Sequence, residues 1–164
     1  MANTNRYRWG DQELIVVPVD DTTVVEIGDF VCRVEAADVV ADDTLTVNYG
    51  CTPSYLVDAG TATQNRDATA DKCLGIAMTQ SLNGQTANLL VATAGVWELT
   101  QKTAAVIHIG DGVEVYASAV NCEDDTIVEG ASDMIGVCVE HKTSAVLTGV
   151  MVKLLTSLLR TLNG

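Results

Sequence analysis

The chain has 164 residues, 48% hydrophobic and 19% charged, with 22 acidic against 9 basic side chains and a formal net charge of -13. So large an apolar share excludes disorder of the whole chain. The acidity opposes docking on a nucleic-acid backbone, where affinity comes from cations that displace counterions, and no apolar run reaches the ~18 residues a membrane span needs.

Residues 1–13 have no periodicity and gather Arg6, Tyr7, Arg8 and Trp9 into one short cluster, which reads as an extended N-terminal arm. Arginine and aromatic side chains dominate binding hot spots because they combine large buried area with directional donors, so these four residues are the first candidates for contact with a partner protein. Leu14 to Val19 is a β-branched run interrupted by Pro18. Proline removes a ladder donor, which places this run at a sheet edge or a strand end. Thr22 to Glu35 alternates around Gly28-Asp29 and reads as two short strands. From 36 to 71 the pattern weakens among scattered Asp, Pro and Gly, so a long loop or insertion is expected there, with Thr44–Tyr49 as a strand within it.

The remainder reads as β structure. Leu74, Ile76 and Met78 are expected on one face of a strand, with Gly75 and Ala77 on the other, where their small size admits a second backbone. Asn83-Gly84 is a strong hairpin signal, with 87–93 as the returning strand. Gly95 breaks the run before Val96–Leu99, in which Trp97 is a packing anchor. Val113, Val115, Ala117 and Ala119 alternate with Glu114, Tyr116 and Ser118. Ile135, Val137 and Val139 form the next inward face, and Leu147–Leu155 the last long strand. In the tail, residues 156–164, Leu155, Leu158, Leu159 and Leu162 fall at helical spacing and predict a short C-terminal helix.

One grammar recurs along this order. A Gly-Asp entry precedes a strand, and a later strand is centred on glycine and small apolar residues: Gly28-Asp29 to Lys72–Thr79, then Gly110-Asp111 to Asp133–Glu140, where Gly136 takes the central place. Glycine permits the positive φ of a tight turn, and aspartate can bond backbone nearby. These positions are therefore architectural. The expected fold is one all-β domain over 14–155, a small antiparallel barrel or sandwich.

Catalytic signals are missing from the sequence. It has no Gly-rich loop followed by lysine, no Gly-x-Ser-x-Gly elbow and no HExxH. The paired acids Asp20-Asp21, Asp42-Asp43 and Asp124-Asp125 suit solvated turns and match no calcium-loop spacing. Cys32, Cys51, Cys73, Cys122 and Cys138 form no CxxC pair and read as reduced small hydrophobes. His108 and His141 sit at strand ends. No cofactor and no metal site is expected, and the N-terminus has no secretory pattern, so synthesis in a cytoplasm without lipid contact is the expectation.

Leu74-Gly75-Ile76-Ala77, Ala94-Gly95-Val96-Trp97-Glu98-Leu99, Ile109-Gly110-Asp111-Gly112-Val113 and Ile135-Gly136-Val137-Cys138-Val139, with the closing strand Val150–Leu155, give the stretch 72–155 a resemblance to the small phage head proteins known as capsid decoration or cement proteins. The resemblance implies a non-enzymatic virion protein on the outer capsid surface, made in the host cytoplasm, with the major capsid protein as its partner. It also implies a homo-oligomer, with a trimer favoured. The other structural readings are a head-completion or tail component, and a module that binds glycans or a host surface.

Overall fold

A computed structural model describes residues 5–19, 23–35, 49–53, 60–83, 85, 88–118, 122–142 and 149–156. The first sheet holds β2 (Leu14–Val17), β3 (Phe30–Glu35), β4 (Tyr49–Pro53), β5 (Cys73–Ala77) and β6 (Leu89–Ala92), in the order β2-β6-β5-β3-β4. The second holds β7 (Val96–Gln101), β8 (Gly112–Ala117), β9 (Cys122–Glu129), β10 (Gly136–Cys138) and β11 (Gly149–Leu154), in the order β7-β11-β10-β8-β9. A parallel pairing of Thr100 with Thr126 and Gln101 with Ile127 joins β9 back to β7, closing this second sheet into a barrel. β1 (Arg6–Trp9) adds to the free stretch of β7. The fold is thus all-β and almost wholly antiparallel, as the alternating patterns require. Pro18 stands directly after β2, the edge strand of its sheet.

The two sheets are one design executed twice. Strand for strand, β2, β3, β4, β5 and β6 occupy the places of β7, β8, β9, β10 and β11. Early in the copies the numbering differs by 82 (96 − 14, 110 − 28, 112 − 30), because Leu14 pairs with Ala92 where Val96 pairs with Lys153. Late in the copies it differs by 61 (137 − 76, 153 − 92), since the β5–β6 and β10–β11 hairpins have equal length. Even the isolated bridges correspond, Val25 with Ser81 in the first copy and Ile107 with Lys142 in the second. The 21-residue difference (82 − 61) falls between β3 and β5.

The Gly-Asp entries explain how each copy is pinned. In both, a turn places glycine third with positive φ, 98° at Gly28 and 94° at Gly110, which is the geometry a type II turn demands of that position. The aspartate N–H donates back across the turn, Asp29 to the Glu26 carbonyl at 3.3 Å and Asp111 to the His108 carbonyl at 3.1 Å. Its carboxylate then accepts the opposite N–H, from Glu26 and from His108, at 2.7 Å in each case. Each turn also docks on the following hairpin through the same pair of bonds: Gly28 N–H to the Ala77 carbonyl and Ala77 N–H to that of Asp29, matched by Gly110 with Cys138 and Cys138 with Asp111.

Each copy buries its own apolar interior at matching positions. Val25, Val31, Leu74, Ala77, Leu89 and Val91 form the first cluster, and their counterparts Ile107, Val113, Ile135, Cys138, Val150 and Val152 lie in the second. The first sheet has a second buried face, on which Phe30, Cys73, Ile76 and Ala92 join the cluster of the second copy. Leu74 therefore packs with Ala77 and not with Ile76, contrary to the strict alternation expected of this strand. A register shift between Val31 and Cys32, opposite the Leu74–Gly75 step, is the reason. Gly75 sits at φ +147°, and a Cβ there would lie 1.9 Å from the Ala92 carbonyl oxygen.

The stretch 36–71 contains regular structure as well as connections: β4, and a helix, α1 (Ala62–Lys72). Thr61 caps α1 by accepting the Gln64 N–H at 3.2 Å while its hydroxyl donates to Oε1 of Gln64. The buried face of α1 is Asn65, Thr69 and Ala70. Without an apolar stripe it docks by polar bonds, Asn65 Nδ2 to the Ser118 carbonyl and the Thr69 hydroxyl against Sγ of Cys122. The segment that lengthens the first copy thus clasps the second. The predicted C-terminal helix falls on 157–164, outside the described residues, as does Gly84 of the hairpin signal.

Candidate partner-binding face

Residues 6–9 are a strand of the body, with Arg6 opposite Glu98, Tyr7 opposite Trp97 and Trp9 opposite Val96. The step from Tyr7 to Trp9 spans a register shift, and the four side chains take different parts. Tyr7 packs edge-on against Trp97, ring centroids 5.7 Å apart, and its hydroxyl donates to the Gly10 carbonyl at 2.6 Å. Gly95, at φ +111°, leaves room for this ring, since a Cβ there would lie 3.0 Å from it. Trp97 is buried, with its indole N–H directed to the Ala94 carbonyl at 3.4 Å. Arg8 forms an ion pair with Glu98. Tyr7 and Arg8 therefore fasten β1 to its own chain, although all four residues of the strand are exposed.

A second exposed apolar pair, which sequence reading missed, lies just downstream. Leu14 and Val16, on one side of edge strand β2, are 46% and 65% exposed, while Ile15 and Val17 on the other side pack onto the first cluster. The link from β1 to β2 borders an open cleft of ≈ 540 Å³ between Asp11, Glu13 and Lys153, with Val96, Leu154 and Leu155 in its wall. Alternation alone does not say which side of β2 is covered; that depends on where the second copy ends. Trp9, at 49% exposure, Leu14, Val16 and Arg6 are exposed apolar and cationic side chains of the first two strands on an acidic chain. Such composition suits protein recognition.

The remaining candidates are architectural in their contacts. Gly28, Asp29, Gly110 and Asp111 form the paired turns described above, and Asn83 is an exposed turn residue. Gly136, the counterpart of Gly75, lies where a Cβ would meet a Val152 methyl at 2.4 Å. The two turn tips carry isoleucines, Ile27 and Ile109, both exposed.

Two buried charged groups, Glu114 and Lys142, are occupied in holding the body together. Glu114 accepts the N–H groups of Ser132 and Asp133 at 3.0 and 3.1 Å and faces Arg66 of α1 at 3.4 Å. Burial pushes the Asp133 acid up, helped by the hydrogen bond its protonated form gives to Asp67 and by the Asp67 and Glu114 charges. Lys142, also buried, hydrogen-bonds Gln101, and desolvation holds its amine below the usual lysine range. Cys32, Cys73, Cys122 and Cys138 are buried, and burial raises the thiols of the last two. A raised thiol is a poor nucleophile. His108 and His141 stack on each other at the surface, and among the described residues no cluster of three or more histidine, cysteine or carboxylate side chains is placed to hold a metal ion.

Two sheets, a pinned turn in each and an exposed mixed face thus stand where a binding protein needs rigidity and reach. Residues 40–154 match the family model for phage cement proteins. No curated protein and no solved structure matches the chain.

Proposed function

The chain belongs to the phage cement proteins, structural proteins of the virion associated with the capsid, and on that premise we propose that it binds the outside of the shell and stabilises it through the face built by β1 and β2. The observation that carries this reading is the anchoring of the first strand: Tyr7 and Arg8 fix β1 to β7, so Arg6 and Trp9 are exposed on a strand held by the body, and the next strand, β2, exposes Leu14 and Val16. A pre-ordered anchor loses little conformational entropy on binding, so more of its contact energy appears as affinity. The acidic remainder of the surface keeps the free protein soluble.

Stabilisation then follows from mass action. A protein that binds the assembled lattice and not its separated subunits favours the lattice by an amount set by concentration and affinity. A homo-oligomer, with a trimer favoured, multiplies each weak contact across several capsid subunits. The work is mechanical, with no bond-making centre and no cofactor.

The test is gradient sedimentation of the purified protein with empty capsids. The double variant R6E/W9A retains Tyr7 and so keeps β1 in place. It is expected to need about tenfold more protein for half-saturation, in line with a hot-spot loss of ~1.4 kcal/mol or more. Saturation identical to the wild type would remove this face from the interface.

A further inference from the structure

The duplication isolates one difference between the copies that packing does not explain. One step beyond the Val25–Ser81 bridge the first copy carries Glu26 and Gln80 on facing chains; one step beyond Ile107–Lys142 the second carries His108 and His141. All four side chains are exposed. The two imidazoles stack with ring centroids 4.7 Å apart and planes 20° from parallel. We infer that His108 and His141 form a two-imidazole clamp for a divalent transition-metal ion of the nickel, copper or zinc type.

The spacing fits. A metal about 2.1 Å from a ring nitrogen lies roughly 3.2 Å from that ring's centre, so two imidazoles bound at right angles have centres about 4.5 Å apart, and at the tetrahedral angle about 5.2 Å apart. The observed 4.7 Å lies between. Near-parallel planes aim the two lone pairs side by side; rotation about each Cβ–Cγ bond makes them converge, and exposure leaves both rings room to turn. Imidazole suits these borderline ions. The surroundings favour a cation as well. The neighbouring ammonium, Lys142, is turned inward to Gln101. Asp111 fixes the chain under His108 by accepting its N–H, and the net charge of -13 raises the local concentration of any cation. Two protein ligands leave the other positions to water.

The duplication also supplies the control. In the untagged full-length protein, calorimetric titration with Ni²⁺ is expected to show one ion per chain and to broaden the NMR signals of both imidazoles. The variant H108E/H141Q installs the residues that the first copy tolerates at the same place, so the fold is preserved. It is expected to bind at least about tenfold more weakly, the lower end of what losing even an outer partner costs a metal site. The reverse variant, E26H/Q80H, is expected to bind two ions per chain. Equal affinity in wild type and H108E/H141Q, or no broadening of the imidazole signals, overturns the assignment. So does a folded E26H/Q80H protein that still holds a single ion.

Discussion

The two copies share strand order, turn chemistry and hairpin length, yet they treat their edges differently. The second closes on itself through β7 and β9, and β1 covers the rest of the β7 edge. The first keeps the equivalent strand, β2, as an edge, and spends its additional length on a segment containing α1 that reaches over to the other copy. One half therefore serves as the closed body, while the other carries the open border and much of the exposed apolar surface. Two copies of one strand order thus finish their edges differently within a single domain.

Equivalent positions should respond unequally, and the largest contrast lies at the central glycines. Gly75→Ala places a methyl 1.9 Å from the Ala92 carbonyl oxygen at a strained φ, whereas Gly136→Ala places one 2.7 Å from the equivalent Lys153 carbonyl oxygen and 2.4 Å from a Val152 methyl, with no positive φ. The first is expected to cost more than ~3 kcal/mol and to prevent folding at 37 °C, and the second about 1–3 kcal/mol. Denaturant melts of the two variants decide it, and equal losses would break the argument from backbone approach.

Next come Trp97 and its counterpart Ile15. Trp97→Ala opens a cavity in the second cluster and removes the platform under Tyr7, an expected loss of about 3–5 kcal/mol. Ile15→Ala, on a half-buried edge strand, is expected to cost roughly 1–2 kcal/mol, less than the ~2–5 kcal/mol of a fully buried isoleucine. A smaller contrast separates the turns. Asp29 is buried and Asp111 only partly so. Asp29→Ala should cost about 1–3 kcal/mol and Asp111→Ala about 1 kcal/mol, because the Glu26 N–H bond to Asp29 is part-buried whereas the His108 N–H bond to Asp111 is exposed to water. Thermal melts of each variant, with the double mutant adding the two losses, check that the copies are pinned independently.

The smallest effect concerns the contact of α1 with the second copy. The Asp133 acid is raised in the folded state, so its contribution to stability is fully present below the ordinary carboxylate range and is lost as pH rises through the raised value. Asp133→Asn should therefore gain stability relative to the wild type at neutral pH and little at pH 4. Urea midpoints at both pH values test this, and a variant that tracks the wild type at each would remove the carboxyl pair from the pH dependence.

Much of this duplication was written in short-range signals. Gly28-Asp29 and Gly110-Asp111 are legible because a positive φ and a backbone-bonding carboxylate each demand a residue type, and Trp97 because a lone large aromatic in an apolar run has few other uses. The full correspondence of strand order was not legible, since it depends on pairings such as Leu14 with Ala92 that no local pattern encodes. α1 escaped notice because its buried face is Asn65, Thr69 and Ala70; Thr61 and Gln64, at capping-box spacing, were its one available sign. The shift at Gly75 reversed the face of Leu74 for a similar reason, as a bulge is fixed by the opposing strand. Among the candidates, Arg6 and Trp9 stood out by composition, whereas Leu14 and Val16 became conspicuous only through their exposure in the folded chain.

Among the described residues no strand pairs with the outer flank of β2, and this has a colloidal consequence. Backbone donors and acceptors along such a rim can zip onto the same rim of another molecule and seed strand-on-strand growth. Mutual repulsion among acidic chains holds that reaction off in dilute buffer, and concentrated electrolyte shortens its range to about 3 Å at 1 M. Purification in strong brine is thus the condition under which this protein would begin to gel.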